Sequence, residues 1–364
     1  MACPARIYPF RKPRNHRLPI PRWKLNFPKD ASHVHTTYIG VQQHSNTQAT
    51  IKAKDQAIEA ILEWLKAEDG PSASECFTLI DGSDVESTVV WVCYWIQTVK
   101  HNPSREALPL LSIHSGLAYP GRASIGIWQE RFRTAISRLE TNYSGLDYLP
   151  GMARMPGTNT EEHDLSAYWG AARDRIPDSA HDLFPLTTDI TRSKPIPNGI
   201  GQFLAGTNHE NLVHIRSGQF WENCTQGEAD SYERNLEPTL RAGLKYLCEN
   251  SEETGAIGLR YLRNEDLLGP TNGYERKETC GAGFFTSLEN MEKWAKTHQS
   301  HLKIFRGALA HYQAFGDNRK FRTWHEVSVI REGQARFEYV NCAPETGVIG
   351  SIPFEIQHEH VINK

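Results

Sequence analysis

The sequence predicts an α+β fold made of two ferredoxin-like modules, each an antiparallel sheet flanked by helices. The chain has 364 residues, enough for two modules of about 150 residues each. Apolar residues make up 39% and charged residues 23% of the chain, which is typical of a folded globular protein. Strand-like and helix-like segments alternate and are joined by long connections. That order favours helices packed on one face of each antiparallel sheet.

The first half of the chain contains the elements of one module, residues 34–160. It follows a proline-rich arm, residues 1–33, which we interpret as an extended segment laid over the surface. YIGVQ (Tyr38 to Gln42) predicts a strand, and DQAIEAILEWLKAED, whose apolar residues recur every three or four positions, predicts a helix. FTLIDGSDVEST predicts a turn that leads into a buried strand, Val89 to Trp95. A loop rich in proline and glycine, Pro103 to Gly121, comes next.

The second half repeats this order weakly and predicts another module, residues 161–350, followed by a tail, residues 351–364. IGLRYLR (Ile257 to Arg263) and CGAGFF predict strands. SLENMEKWAKTHQSHLKIFRGALAHY predicts one long helix that begins near Ser287. No sequence identity links the halves, so a duplication rests on the order of the elements alone.

Charge and composition favour a protein that acts on small molecules. The formal net charge is -3 and the sequence pI is near 6.6, so no global field attracts nucleic acid or acidic lipids. No window approaches the roughly 18 apolar residues that a membrane span requires, and the N-terminal arm lacks the apolar core of a signal peptide. We therefore expect a cytoplasmic protein without nucleic-acid or membrane partners. The seven cysteines show no CxxC spacing, which argues against disulfides and a zinc ribbon.

Two histidines of the long helical run are candidate metal ligands. Along one side of the predicted helix lie Trp294, His298, His301, Phe305 and Ala308. A histidine on such an apolar face is either a hydrogen-bonded core residue or an axial haem ligand, for which a helix fixes the ring over the iron. Zinc is the weaker alternative because no HExxH motif is present, and the absence of CxxCH excludes covalent haem attachment. The apolar pattern does not distinguish His298 from His301 as the candidate ligand.

A third histidine, His325, opens the segment TWHEVSVIREGQARFEYVNC. The alternation of apolar residues in this segment predicts a hairpin with Glu332 and Gly333 at its turn. A histidine at the start of a strand can face a pocket, and an imidazole transfers protons at neutral pH. The alternative is a structural hydrogen bond to Glu326.

Several motifs resemble one enzyme family. The C-terminal part resembles the signature of the haem-containing aldoxime dehydratases in two segments, WAKTHQSHLKIF and RTWHEVSVIREGQARFEYVNCAPETG. Within that group the chain resembles a fungal-type member of the phenylacetaldoxime dehydratase family. AYWGAARDRIP, NLVHIRSGQFW and RLETNYSGLDYLPG also resemble that family. The resemblance spans roughly Tyr38 to Gly347.

This resemblance implies an activity and a cofactor. Aldoxime dehydratases are lyases of the hydro-lyase type, which remove water from an aldoxime, R-CH=N-OH, to leave a nitrile. The cofactor implied is haem b, ferrous in the active state, held in the C-terminal module. The resemblance also implies modules of the dimeric α+β barrel type and a homodimer.

The same resemblance assigns five residues by their motifs. It places the axial haem ligand at His301 in SHL, and the distal catalytic histidine at His325 in WHEVSV. It matches the distal arginine to Arg175 in RDR and the pocket serine to Ser217 in IRSGQ. The glutamate that supports the distal histidine matches Glu140 in LETNY.

Two other functions stay open at this stage. One is a different haem enzyme on a related scaffold, such as a peroxidase or a chlorite-decomposing enzyme, for which a distal arginine and histidine are also useful. The other is a non-catalytic haem-binding protein, in which the distal groups only tune ligand binding.

Overall fold

The computed structural model describes residues 6–97, 107–186, 197–265 and 275–363. The first five residues of the N-terminal arm, the last residue of the tail and residues 103–106 of the predicted loop lie outside the described residues. Within the described ranges, no helix combines the length and the apolar character needed to cross a membrane.

A single antiparallel sheet of fourteen strands forms the centre of the described structure. The strands are β1 (Arg22–Asn26), β2 (His33–Gln43), β3 (Ala73–Gly82), β4 (Val89–Gln97), β5 (Ile125–Ala135), β6 (Leu139–Tyr143), β7 (Asn159–His163), β8 (Phe203–Thr207), β9 (Leu212–Phe220), β10 (Ala256–Glu265), β11 (Glu275–Phe285), β12 (Arg322–Ile330), β13 (Ala335–Val340) and β14 (Phe354–His358). Across the sheet their order is β14-β8-β13-β5-β2-β4-β3-β10-β11-β9-β12-β6-β1-β7.

Helices pack against this sheet, as the predicted α+β class requires. They are α1 (Gln48–Leu65), α2 (Leu110–Gly116), α3 (Ala171–Arg175), α4 (Gln226–Ser231), α5 (Glu237–Glu249), α6 (Ser251–Thr254), α7 (Leu288–Thr297) and α8 (Gln299–Phe315). A π-helical segment, Tyr232–Leu236, joins α4 to α5. Helices α1 and α2 contact strands of the first half, whereas α5 and α7 contact strands of the second.

Two sets of four strands follow the same order within the sheet. The sets β5-β2-β4-β3 and β12-β9-β11-β10 lie side by side and meet where β3 pairs with β10. In each set the chain runs strand, helix, two strands, helix, strand. The order predicted from the sequence lacks β3. The segment FTLIDG is predicted as the beginning of a turn, but it forms the last part of this strand, and the turn begins after Gly82.

The predicted hairpin of β12 and β13 is wrong. Both strands form, but β12 pairs with β6 and β9 whereas β13 pairs with β5 and β8. Alternating apolar residues specify which face of a strand is buried and do not specify its partner. The short connection, residues 331–334, therefore carries the chain from one half of the sheet to the other.

The two halves exchange strands in matching registers. Strand β6 follows β5 in the chain and pairs with β12 of the second half, with Tyr143 opposite Trp324. Strand β13 follows β12 and pairs with β5 of the first half, with Tyr339 opposite Trp128. Each half therefore completes the sheet of the other.

A tryptophan packs over a glycine of the neighbouring strand in each half. The indole of Trp128 covers Gly40, and the indole of Trp324 covers Gly218, so that a Cβ atom at either glycine would overlap the ring. All four residues are paired across adjacent strands. Only glycine leaves room for this close approach.

A buried arginine also packs against each tryptophan ring. The guanidinium of Arg260 is 4.0 Å from the ring centroid of Trp128, and its nitrogens donate to Glu130 at 2.8 and 2.9 Å. The guanidinium of Arg216 is 4.6 Å from the ring centroid of Trp324 and forms an ion pair with Glu75 at 2.8 Å. Buried charges persist in an interior when they are paired in this way.

The long helix predicted from Ser287 onward is interrupted. Helix α7 ends at Thr297 and α8 begins at Gln299, with His298 between them in an extended conformation. The Nδ1 atom of His298 accepts a hydrogen bond from the amide of Ser300, so this residue caps α8. The break changes the helical phase, and the single stripe predicted through His298 does not form.

The space between helices and sheet is filled differently in the two halves. In the first half it is occupied by buried apolar side chains of α1, α2 and the strands, among them Ile39, Ile61, Trp91 and Ile127. In the second half α5, α7 and α8 enclose a cavity of about 530 Å³ against the sheet. A ligand site is therefore expected in the second half, because ligands bind in cavities of this kind.

Replacing Gly40 with Ala should destabilise the fold by about 1–3 kcal/mol, the usual cost of overpacking a core. The added methyl group must displace the buried indole of Trp128. Urea unfolding followed by tryptophan fluorescence measures the change. Gly227→Ala is the matched control, because a Cβ atom there meets nothing within 4 Å. Equal stability of the two variants would contradict the packing described here.

Candidate active site

The cavity of the second half lies between a helical wall and a sheet wall. Helices α5, α7 and α8 and the segment around α3 form one side, and strands β6, β9 and β12 form the other. All five residues assigned by the resemblance line this cavity: Glu140, Arg175, Ser217, His301 and His325. The structure thus brings together side chains that lie far apart in the sequence.

The sheet wall presents a row of polar side chains from three adjacent strands. His325 on β12 is opposite Ser217 on β9 and opposite Asn142 on β6. Side chains directly opposite in an antiparallel sheet lie on the same face, and Glu140 is the diagonal neighbour of His325 on β6. The exchange of β6 between the halves therefore puts Glu140 beside His325.

A hydrogen-bonded group of three residues occupies the centre of this wall. Arg175 donates from Nε to Oε2 of Glu140 at 2.7 Å and from Nη2 to Oε1 at 3.0 Å. The same Nη2 is 2.7 Å from Nε2 of His325, and Oε1 of Glu140 is 3.3 Å from that nitrogen. The side chain of Glu140 is fully buried, whereas that of His325 is 29% exposed toward the cavity.

The ion pair keeps the Glu140 carboxylate charged in spite of its burial. Burial alone would raise the pKa of Glu140, but the charge of Arg175 and the contact with His325 lower it from 4.5 to about 2. The site therefore contains a fixed negative charge at any physiological pH, balanced by the guanidinium.

The N-terminal arm supports the helix that carries Arg175. The carboxylate of Asp174 accepts hydrogen bonds from the backbone amides of Arg11 and Lys12, at 2.8 and 3.1 Å, and from the hydroxyl of Tyr168 at 2.8 Å. Nη1 of Arg175 donates to the carbonyl of Leu165 at 2.6 Å. The arm is thus a support of the site as well as a surface segment.

On the helical wall, His301 is oriented as a single metal ligand would be. Its Nδ1 donates to the carbonyl of Ala295 at 2.7 Å, which leaves Nε2 for a ligand. The rings of Trp294 and Trp169 lie edge-on to the imidazole, at 4.9 and 6.0 Å between centroids. Burial lowers the pKa of His301, which favours the neutral form that binds metals.

His298 occupies a different environment. Its ring stacks on Tyr246 at 4.0 Å between centroids, and its Nδ1 is within 2.7 Å of the hydroxyl of Ser300. The residue is the N-cap of α8 and is not among the residues that line the cavity. The break between α7 and α8 therefore separates the two histidines that periodicity alone could not distinguish.

The cavity fits a haem. One imidazole suffices as a protein ligand when a porphyrin supplies four nitrogens to the iron. The walls beside His301 are largely apolar, with Leu244, Leu247, Phe285 and Met291 at the α5 and α7 side. A cavity of about 530 Å³ is of the size that encloses a cofactor.

Comparison with known proteins gives the family. Residues 37–348 match the model of the haem-containing dehydratases. The chain belongs to this family. The resemblance found in its motifs is thereby confirmed, and with it a haem as the cofactor of the family.

Relatives of this haem-containing dehydratase share almost its full length. It is 29% identical to an aliphatic aldoxime dehydratase of Pseudomonas chlororaphis, over 96% of each chain. It is also 29% identical to a phenylacetaldoxime dehydratase of Bacillus sp. strain OxB-1, over 93% of each chain. A crystal structure of an aldoxime dehydratase with butyraldoxime superposes with a TM-score of 0.80 at 26% identity, covering 96% of this chain and 94% of the other. A second aldoxime dehydratase structure gives 0.78 at 27% identity, covering 96% of each chain.

Some residues of the site have no counterpart among the sequence predictions. Asn142 lies next to His325 on the sheet wall, and its Oδ1 is 3.1 Å from Nε2 of His163. The strand alternation of LETNY could have indicated it, since Asn142 shares a face with Glu140. Trp169, beside His301, follows no periodic pattern and could not have been found.

Replacing Glu140 with Gln should lower the free energy of unfolding most at neutral pH. Because the pKa of Glu140 in the folded protein, about 2, is below its ordinary value of 4.5, the charged carboxylate stabilises the fold above about pH 4.5. This stabilisation is lost as the pH falls toward 2. Leaving Arg175 buried without its partner costs about 3–5 kcal/mol.

Urea unfolding between pH 7 and pH 3 measures this effect. The stability gap between wild type and Glu140→Gln should narrow as the pH falls. Glu161→Gln is the control, since Glu161 forms an exposed ion pair with Lys24 on the neighbouring strand and its loss should change stability little. A gap that stays constant over this pH range would show that Glu140 is not ionised in the folded protein.

Proposed function

We propose that this haem-containing dehydratase is an aldoxime dehydratase, a hydro-lyase that converts R-CH=N-OH to a nitrile and water. The observation that carries the proposal is the arrangement of the cavity: His301 on α8 faces a sheet wall that holds His325, Glu140 and Ser217, and Arg175 of α3 is bound to Glu140 and His325. The names of the relatives over nearly the whole chain support the substrate class.

The cofactor proposed is haem b, bound through Nε2 of His301 in the C-terminal half. Ferrous haem held there by His301 would supply an iron atom that activates the oxime nitrogen. The chain itself then has to hold the oxime hydroxyl, deliver one proton to it and remove another from carbon.

Ser217 is the group that holds the oxime oxygen. It lies directly opposite His325 on the adjacent strand, and no described side chain hydrogen-bonds its hydroxyl. The hydroxyl is therefore available to a substrate, and a hydrogen bond from a fixed strand orients the leaving group toward His325.

His325 is the group that moves protons. Its Nε2 is occupied by Arg175 and Glu140, and within the described ranges no residue hydrogen-bonds its Nδ1. Nδ1 is thus the nitrogen that serves the substrate. As an imidazolium, His325 protonates the oxime hydroxyl, the N–O bond breaks and water leaves. As a neutral imidazole, it then accepts the proton from carbon as the C≡N bond forms, which restores the acid.

Arg175 and Glu140 together accommodate both forms of His325. Nδ1 exchanges the proton with the substrate, so Nε2 keeps its hydrogen in both the imidazolium and the neutral ring and donates it to Oε1 of Glu140, whose carboxylate Arg175 holds in place. Both partners are buried and fixed by their own ion pair, so they orient the ring without solvent reorganisation.

The architecture also supports two ferredoxin-like modules of the dimeric α+β barrel type, at residues 34–160 and 161–350. The support is the matching strand order of β5-β2-β4-β3 and β12-β9-β11-β10 with their intervening helices. The exchange of β6 and β13 means that the modules interlock and do not separate cleanly at residue 160. The homodimer implied by the resemblance and the cytoplasmic location expected from the composition stay predictions.

Replacing His325 with Ala should leave haem bound and reduce nitrile formation by about 10²- to 10⁴-fold, the usual contribution of general acid-base catalysis. Turnover of phenylacetaldoxime by the reduced protein is the measurement, with haem content as the check on folding. His358→Ala, on the exposed end of β14, is the control and should be fully active. Turnover near the wild-type rate in His325→Ala would remove His325 from the mechanism, and faster turnover of peroxide than of any aldoxime would favour a peroxidase.

Replacing His301 with Ala should give a protein that purifies largely without haem, because the only proposed protein ligand to the iron is lost. His298→Ala is the matched control and should keep its haem, since His298 caps α8 and contacts Tyr246 instead. The Soret band of each purified protein reports the outcome. A normal band in His301→Ala, or its loss in His298→Ala alone, would reverse the assignment.

A further inference from the structure

Two arginines converge on a tyrosine at one end of the cavity. Arg22 of β1 donates from Nη2 to the hydroxyl of Tyr312 at 3.1 Å and from Nη1 to the hydroxyl of Thr323 at 3.3 Å. The guanidinium of Arg319 lies 4.3 Å from the ring centroid of Tyr312. Arg22, Tyr312 and Arg319 are called the arginine-tyrosine cluster below.

The cluster has an excess of positive charge. Neither guanidinium forms an ion pair with a described carboxylate. By contrast, Arg175 in the same cavity is paired with Glu140, and Arg322 beside the cluster is paired with Asp147 at 2.8 Å.

The tyrosine of the cluster responds to this charge. Burial alone would raise the pKa of Tyr312, yet Arg22, the hydroxyl of Thr323 and Arg319 lower it below its ordinary value. An uncompensated positive potential next to a hydrogen-bonding hydroxyl is a site for an anion.

The position of the cluster relative to His301 specifies which anion. Tyr312 lies on the same face of α8 as His301, about three turns further along, at the end of the cavity remote from α7. The end near α7 is lined by apolar residues such as Leu247, Phe285 and Met291. The cluster also borders an adjoining hollow of about 510 Å³, which shares Pro19, Ile20 and Tyr312 with the cavity.

We propose that Arg22 binds a propionate carboxylate of the haem, together with the hydroxyl of Tyr312, and that Arg319 adds charge through the tyrosine. A haem has an apolar edge and an edge with two carboxylates, which matches the apolar and cationic ends of the cavity. A carboxylate at this end would be costly to bury without a partner, and a guanidinium is the preferred one. Lys303 also lines the cavity, but it is exposed on α8 and is less suited to fix an orientation.

The N-terminal segment then becomes part of the cofactor site. Arg22 begins β1, and Pro19 and Ile20 just before it line the same end of the cavity. This proposal rests on a haem in the cavity beside His301, which is part of the proposed function. It adds the direction in which the haem edge points and a second point of attachment in a different part of the chain.

The test compares natural haem with its dimethyl ester, which lacks the propionate charges. Wild type, Arg22→Gln and Lys24→Gln are reconstituted with each haem, and the rate of transfer to excess apomyoglobin is measured. Lys24 is the matched control, because it lies two residues along β1 and pairs with the exposed Glu161. A hydrogen bond to a charged group of this kind should make Arg22→Gln release natural haem about ten- to a hundredfold faster than wild type.

The dimethyl ester separates a direct contact from a structural effect. With the dimethyl ester, wild type and Arg22→Gln should release the cofactor at the same rate. The control Lys24→Gln should release both natural haem and the ester at the wild-type rate. Tyr312→Phe removes only the hydroxyl and should show the same dependence on the propionate with a smaller acceleration. If Arg22→Gln does not fold, this second variant carries the test.

Two results would overturn the proposal. Equal acceleration of both haems would make Arg22 a structural residue, and unchanged release of natural haem would exclude the propionate contact. If release of natural haem is unchanged, a change in the KM of Arg22→Gln that is confined to aldoximes carrying a carboxylate would show that the arginine-tyrosine cluster binds the substrate instead. If His301→Ala retained a normal Soret band, His301 would not be the haem ligand, a failure of the proposed function that this comparison keeps separate.

Discussion

The pairing of β6 with β12 is the constraint on which the site depends. Strand β6 leaves the first half of the sheet and lies against the strand that carries His325, and this alone places Glu140 within 3.3 Å of its imidazole. Arg175 then bridges the two side chains, because a buried carboxylate requires a buried cation. The polar wall of the cavity is therefore built from parts of the chain that the exchange of strands between the halves brings together.

Corresponding positions in the two halves carry different side chains, a polar row along the cavity in the second half and a packed core in the described part of the first. Gln129 follows Trp128 on β5 as His325 follows Trp324 on β12, and it lies opposite Ile39 where His325 lies opposite Ser217. Gln129 is tied to Glu338 and the backbone of Leu108, in a region filled by apolar side chains. The same scaffold thus forms a packed core in one half and encloses a cavity in the other.

Local patterns in the sequence predicted the elements better than their arrangement. Periodicity located β2, β4 and α1, but it extended one helix through His298, where α7 and α8 are separate, and it joined β12 to β13 as a hairpin. Alternation carries no information about which strand is the partner, and a buried pair such as Arg175 and Glu140, 35 positions apart, leaves no local trace. Those site residues were assigned by family resemblance, whereas the place of Arg22 in the cavity wall required the structure.

The central claim is that a ferrous haem held by His301 and a proton supplied by His325 together turn an aldoxime into a nitrile. The most direct test adds phenylacetaldoxime to the dithionite-reduced protein without oxygen and records the haem spectrum and the nitrile in the same sample. The account predicts a shift of the Soret band on mixing, followed by nitrile formation and return of the original spectrum. Nitrile formed by the haem-free protein, or a spectral shift with no nitrile, would contradict it.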